Sequence, residues 1–367
     1  MITSIIVENF KSLKKADADV SNLNLLMGLN GMGKSSFLQV LLLLMQSDKL
    51  EERIIDLNGP LVQIGQGRDA LYQFAEEGMI VFEVTFDQQP PFIWEFPYQV
   101  DKEKLTAKTG YTKEAMAFFR ERTKRVQYIS AERIGPQDIY NASSIVVADK
   151  KQLGLLGEFA AYYVNVFGLE YSVPESLRHA RAFSNSGKLI HQLNAWLHEI
   201  SPGVSINTKY VPEVNKVILD YQFELLTQKT NSFRPKNVGF GISYVLPVVL
   251  ALLTAEKDKI IVIENPESHI HPRGQAELGK LIALAANIGA QLFIETHSDH
   301  ILNGIRVAVK EHCIDKSKVK VMYFDKVTND AEQYSNITQI KIDENGELSE
   351  YPKDFLDEWS NQLLKLI

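Results

Sequence analysis

Nine consecutive residues, Gly28-Leu29-Asn30-Gly31-Met32-Gly33-Lys34-Ser35-Ser36, combine the residue types that grip a polyphosphate. The glycines let the backbone curl tightly enough for successive N–H groups to point inward at a β-phosphate. Lys34 reaches the β and γ phosphates, and the Ser35 hydroxyl is placed to ligate Mg²⁺. The helix that opens near Lys34 turns its positive end toward the anion. Gly28, Asn30, Gly31, Gly33 and Ser36 complete the lining of this curl. A second stretch, Lys259-Ile260-Ile261-Val262-Ile263-Glu264-Asn265-Pro266-Glu267, is apolar and then acidic, the layout of a Walker B strand. Such a strand delivers a carboxylate, here Glu264, that holds Mg²⁺ directly or through water, while a second carboxylate orients the attacking water. A third, Gln291-Leu292-Phe293-Ile294-Glu295-Thr296-His297-Ser298, is another buried strand with a polar tip.

The histidines admit a different chemistry. His269 and His271 lie close to Glu264 and Glu267, and His297, Asp299 and His300 cluster on the later loop, a composition that also suits a metal phosphoesterase. His269 and His271 are spaced i,i+2 beside a proline, unlike the i,i+4 pairs of helical zinc ligands.

Strands and helices must carry these tips to one place. Ile2 to Phe10 reads as a strand, Lys11 to Asp19 as a polar connection, and Leu23 to Gly28 as the strand feeding the loop. Phe37 to Met45 is apolar nearly all round, which fits a buried helix. Met79 to Phe86 and Phe92 to Val100 read as a hairpin. Helices follow around 112–124, 152–167 and 186–199, with a hairpin at 203–224. The last third alternates: helices near 243–256, 273–287 and 299–311, strands at 259–263, 290–295, 318–324 and 336–342, and a helix around Asp354 to Leu366. The expected fold is α/β, with a largely parallel sheet, an antiparallel β part and an inserted, mainly helical lobe. The expected divisions are 1–100, 101–235 and 236–367.

The 367 residues, 45% apolar and 23% charged, exceed what one core usually serves, so one large domain with an insertion, or two lobes, is expected. The single cysteine, Cys313, makes no internal disulfide framework, and the first residues lack the pattern of a signal peptide. The longest apolar runs, near 38–45 and 245–255, fall short of the ~20 residues a membrane span needs, so the chain reads as cytoplasmic. The net charge of −7 argues against indiscriminate coating of nucleic acid. Residues 101–125 carry eight Lys or Arg against four acidic residues, and form the expected patch if DNA is bound at all.

The order of a GxNGxGKS loop, an apolar strand ending Glu264-Asn265-Pro266-Glu267 with His269, His271 and Pro272 behind it, and a strand ending Glu295-Thr296-His297-Ser298 resembles the ABC-type ATPase heads of the SMC, RecF and OLD families. It is more similar still to the stand-alone prokaryotic ATPases of that group. The likeness covers both ends of the chain well and the inserted lobe weakly. It implies ATP and Mg²⁺ as cofactors and a homodimer that sandwiches two nucleotides. It places Asn237 to Ser243 at the signature position, with Gly241 allowing close backbone approach and Ser243 as a helix N-cap beside the γ-phosphate. It matches His297 to the switch histidine and Gln63 to the Q-loop. The family's Asp-Glu pair is here Glu264-Asn265. Asn cannot accept a proton, so the base role passes to Glu267, or to Glu295, and slow ATPase activity is expected. The 70 residues after His297 finish the α/β sheet, so any nuclease is expected on a separate effector protein. No sustained heptads separate Lys34 from Gly239, so no long coiled coil is expected. The implied setting is a switch subunit of a DNA-linked assembly in defence against phage or plasmids. Repair or recombination, and an ATP-gated binding module that does not turn over, are the alternatives.

Overall fold

A computed structural model describes residues 1–182, 185–225, 228–352, 355 and 362–366. They form two compact units, residues 1–126 with 316–367, and residues 127–315. The expected divisions at 100/101 and 235/236 do not coincide with these boundaries.

The first unit begins with β1 (Ile2–Phe10), β2 (Leu13–Asp19) and β3 (Leu23–Met27), then α1 (Lys34–Gln46), β4 (Ile54–Asp56), α2 (Gly67–Ala70), β5 (Met79–Phe86), β6 (Phe92–Pro97), β7 (Lys104–Thr106) and α3 (Lys113–Thr123). β2, β1, β5 and β6 make an antiparallel sheet in that order. In β5 every second residue, Ile80, Phe82, Val84 and Phe86, is buried, the period of a half-buried strand. The inward aromatics meet edge to face: Phe10 on Phe82, Phe86 and Trp94 on Phe119 of α3. The expected polar connection over 11–19 is instead β2, paired to β1 from Ser4↔Asp19 to Phe10↔Leu13. Its buried residues are Leu13, Ala16 and Ala18, two of them too small to mark a strand by hydrophobicity.

The second unit runs β8 (Val126–Ile129), β9 (Tyr140–Asn141), α4 (Ala160–Phe167), α5 (Leu189–Ile200), β10 (Val204–Val211), β11 (Lys216–Phe223), α6 (Phe240–Leu253), β12 (Ile260–Glu264), α7 (Pro272–Asn287), β13 (Gln291–Glu295) and α8 (Asp299–Lys310). β12 lies between β13, to which it is parallel, and β8. α7 and α8 approach closely because two glycines face each other's backbones. A Cβ on Gly279 would strike the Ile301 carbonyl, and one on Gly304 the Ala276 carbonyl. The helix expected from 152 opens only at Ala160.

The chain returns to the first unit with β14 (Val319–Thr328), parallel to β3, and β15 (Gln333–Ile340), antiparallel to β14. Each unit therefore contributes a parallel strand pair, and the first adds an antiparallel edge. Most of the helix expected around Asp354 to Leu366 lies outside the described residues. Among the described residues, no helix is long and apolar enough to cross a membrane.

Candidate functional site

β3 is buried along its whole length and ends at Met27, where the chain turns into the glycine loop. Gly28, Gly31 and Gly33 have φ of 132°, 76° and 101°, a region that penalises any residue with a Cβ. Packing adds a second reason at two of them. A Cβ on Gly28 would strike the carbonyl of Phe324 in β14, and one on Gly33 would strike Ser335 of β15, whose hydroxyl hydrogen-bonds that of Ser12 at 2.8 Å. Gly31 has open space around it.

The loop ends where α1 begins. That helix has no side-chain cap and no acidic residue in its first turn, so the positive end of its dipole is left for an anion. Lys34 is 3% exposed, and its ammonium donates to the carbonyls of Gly28 and Leu29, both at 2.8 Å. It is thus folded over the loop it serves. Ser35 is exposed and Ser36 buried on the same first turn, while Leu29 and Asn30 stand at the exposed crest. Left-handed glycines, an uncapped helix start and a lysine held across the loop suit a polyphosphate, and the Ser35 hydroxyl suits its Mg²⁺.

The second unit holds the acidic and imidazole tips. β12 and β13 run in register, so Glu264 and Glu295 end side by side. The Glu264 carboxylate accepts from the Tyr128 hydroxyl (3.0 Å) and the Ala131 N–H (3.3 Å). Burial pushes its pKa up, against the pull of those two donors and of nearby Arg133. Arg133 is 2% exposed, and its guanidinium donates to the carbonyls of Glu264 and Asn265, both at 2.6 Å. Burial lowers its pKa to about 10, so it stays charged near neutrality. Asn265 sits at φ 45°, its N–H donating to the Glu295 carbonyl at 2.8 Å and its side-chain oxygen buried without a partner. Tyr128 and Arg133 were not singled out from the sequence. The signal was there, since Tyr128-Ile129-Ser130 also passes from strand to polar tip.

Glu267 stands in the turn after β12. One carboxylate oxygen accepts from the Thr296 hydroxyl and the other from the His297 N–H, both at 2.8 Å. Glu267 therefore fixes the backbone that presents His297, which is exposed. His269 and His271 serve packing and capping. His269 contacts the rings of Phe240 and Tyr244, and His271 Nδ1 accepts from the Arg273 N–H as the N-cap of α7. Among the described residues no group of three or more His, Cys, Asp or Glu is placed to hold a metal ion.

The signature stretch differs from expectation at its cap. α6 opens at Phe240 with Gly239 as N-cap, so Ser243 lies inside the first turn. It is 6% exposed, and its hydroxyl meets that of Tyr221 at 3.1 Å. Gly241 does permit close approach, and the backbone it meets is this unit's own: a Cβ there would strike the His269 carbonyl. Gln63 is exposed and pairs with Asn58 across an isolated bridge. The preceding Leu61 and Val62 N–H groups donate to Gln46, the last residue of α1. Its loop is thus tied to the end of α1 remote from Lys34, ~18 Å away at 1.5 Å per residue. In the basic run, Lys104 pairs with Asp56, Lys124 with Glu121, and Arg120 donates to the Ser47 carbonyl, which dilutes the charge available to an anionic polymer.

Residues 23–303 match a family described as "AAA domain, putative AbiEii toxin, Type IV TA system", and residues 314–366 match one described as "Protein of unknown function (DUF3696)". Among solved structures, the SMC head bound to the C-terminal winged-helix domain of ScpA superimposes with a TM-score of 0.56 at 12% identity, covering 93% of this chain and 98% of that one. The SMC head with an extended coiled coil, bound to the C-terminal domain of ScpA from Pyrococcus furiosus, gives 0.53 at 10% identity, covering 100% and 99%. These likenesses are of fold, and the mixed α/β architecture is that of an SMC-type head. An uncharacterised protein of Methanocaldococcus jannaschii is 30% identical over 66 residues, which span 18% of this chain and only 8% of that protein.

Proposed function

The chain belongs to this AAA-domain family, and from that premise we propose that it is an ATP-binding, slowly hydrolysing switch that dimerises on nucleotide and Mg²⁺. The observation that carries the reading is the phosphate loop: three left-handed glycines closing on the uncapped start of α1, with Lys34 held across them. Bound Mg²⁺, held by Ser35 and Glu264, would supply charge neutralisation at the phosphates. The chain's own residues then do the rest. The loop amides and Lys34 orient the nucleotide, Glu267 sets the backbone of His297 for contact with the γ-phosphate, and Arg133 fixes the end of β12 that carries Glu264. Gly241 and Ser243 would serve the nucleotide of the opposite subunit.

Turnover is slow in this reading because Asn265 stands where a basic carboxylate would, and an amide takes no proton. Glu267 accepts one hydrogen bond on each oxygen, from Thr296 and from His297, and with a second lone pair left on each oxygen it takes the base role, with Glu295 as the second candidate. The same Asn265 favours a second reading, an ATP-gated binding module with no turnover, which steady-state hydrolysis by pure protein separates from the first. We place the switch in a toxin–antitoxin or phage-defence assembly, in line with the family's description, with a separate effector and with DNA contact, if any, through residues 101–125. Binding of a fluorescent ATP analogue tests the core of the proposal. Lys34→Ala should weaken it by about 100-fold or more, the loss of a charge-assisted grip on two phosphates. Parental binding by that variant, or none by the natural chain, would sink the proposal.

A further inference from the structure

The second unit contains a cavity of about 970 Å³ between α4, α5 and β10, formed without any of the residues assigned above to nucleotide. Its volume is at the upper end of small-ligand pockets. Val164, Ile190, Ala195 and Val204 give it an apolar wall. The polar groups gather where α5 ends and β10 begins, and their hydrogen bonds fix which atoms remain to meet a ligand. His198 Nδ1 accepts from the Gly203 N–H at 3.0 Å, which puts the proton of the neutral ring on Nε2, a donor. The Asn194 carbonyl oxygen accepts from the Ile206 N–H at 2.9 Å, which leaves its NH₂ as the group to offer. The Lys229 ammonium is brought to the same end by its bond to the Ser205 hydroxyl at 3.2 Å. Arg181 reaches Glu199, the residue after His198, at 3.5 Å and also lines the cavity. An imidazole N–H, an amide NH₂, an ammonium and a guanidinium thus line one cavity together with an apolar wall. The two carboxylates of the lining, Glu170 and Glu224, are exposed.

We propose that this cavity is a second ligand site, for a small organic oxyanion, a phosphate or carboxylate carried on an apolar or aromatic body. The oxyanion takes the Asn194, His198, Arg181 and Lys229 donors, and the body lies against Val164 and Ile190. The test is calorimetric titration of the full chain with phenyl phosphate and, separately, benzoate, followed also through the ring resonances of His198. Saturable binding that moves those resonances is expected, weakened at least about tenfold by Lys229→Ala and by Arg181→Ala and untouched by Lys34→Ala. Both cavity substitutions fall on exposed side chains, so the fold is not at stake. Binding of phenyl phosphate alone assigns the phosphate, and of benzoate alone the carboxylate. No binding of either by the natural chain overturns the site, as does binding lost with Lys34→Ala but kept by both cavity variants, which would return the anion to the phosphate loop.

Discussion

At the scale of single residues, the end of β12 is set by groups that act on its backbone more than on any ligand. Arg133 bridges two successive carbonyls with one planar fork, and a lysine offers no such fork. Arg133→Lys is therefore expected to cost about 2 kcal/mol in denaturant unfolding, the size of a lost charge-assisted bond at a buried site. It should also lower ATP turnover while leaving nucleotide affinity near the parental value. Glu264 gives a prediction with a sign. Its folded-state pKa is raised by burial above the ordinary 4.5, so its contribution to stability is fully present below that value and is lost as pH rises through the folded pKa. In Glu264→Gln the amide can accept from Ala131 N–H and donate to the Tyr128 oxygen, so the fold is kept. Melting temperatures followed upward from pH 4.5 should show a flatter profile for this variant, together with loss of turnover. An unchanged slope would mean that Glu264 is not the titrating group.

At the scale of elements, tight crossings carry the most fragile contacts. Gly304→Ala puts a methyl group into the Ala276 carbonyl across the α7–α8 crossing, and overpacking of this kind costs about 1–3 kcal/mol. Thermal melts should show that loss, with Gly31→Ala, where the space is open, a control that loses only through its φ of 76°. The same elements show how far the sequence could be read. The alternation from α6 to α8 was legible because each strand is a short run with an apolar middle and a polar tip and each helix a longer, largely apolar or periodic one. β8 was not, since only four residues form it and one of the buried ones is polar. Gln127 is 3% exposed because it accepts from the Leu153 N–H and donates to the Tyr128 carbonyl, a pairing 26 residues away that no local pattern announces. Ser243 was misplaced as a cap for a related reason. Gly239 opens the helix instead, with Phe240 left exposed in the first turn, and neither residue advertises a helix start as serine does.

At the scale of the whole molecule, the glycine loop and the acidic and imidazole tips arise in units whose boundaries the sequence did not disclose. One boundary falls inside β8 and the other just before β14, with no run of glycine, proline or serine to mark either. Assembly is the property left to test at this scale, and two exposed side chains make it testable. Leu29 at the crest of the phosphate loop is 54% exposed and Phe240 at the start of α6 is 60% exposed, large apolar surfaces at the two segments a nucleotide sandwich would press together. Light scattering with a non-hydrolysable ATP analogue and Mg²⁺ is expected to show the natural chain as a dimer and Lys34→Ala as a monomer. Phe240→Asp should still bind the analogue, weakened only by the share of affinity that dimerisation adds, and yet remain monomeric, because a carboxylate there faces desolvation and like charge in the dimer but stays in water in the single chain. A Phe240→Asp protein that still dimerises on nucleotide would show that α6 does not meet the second copy, and the signature role of Gly241 and Ser243 would fall with it. A natural chain that stays monomeric while saturated with analogue would leave ATP binding in place and remove the sandwich altogether.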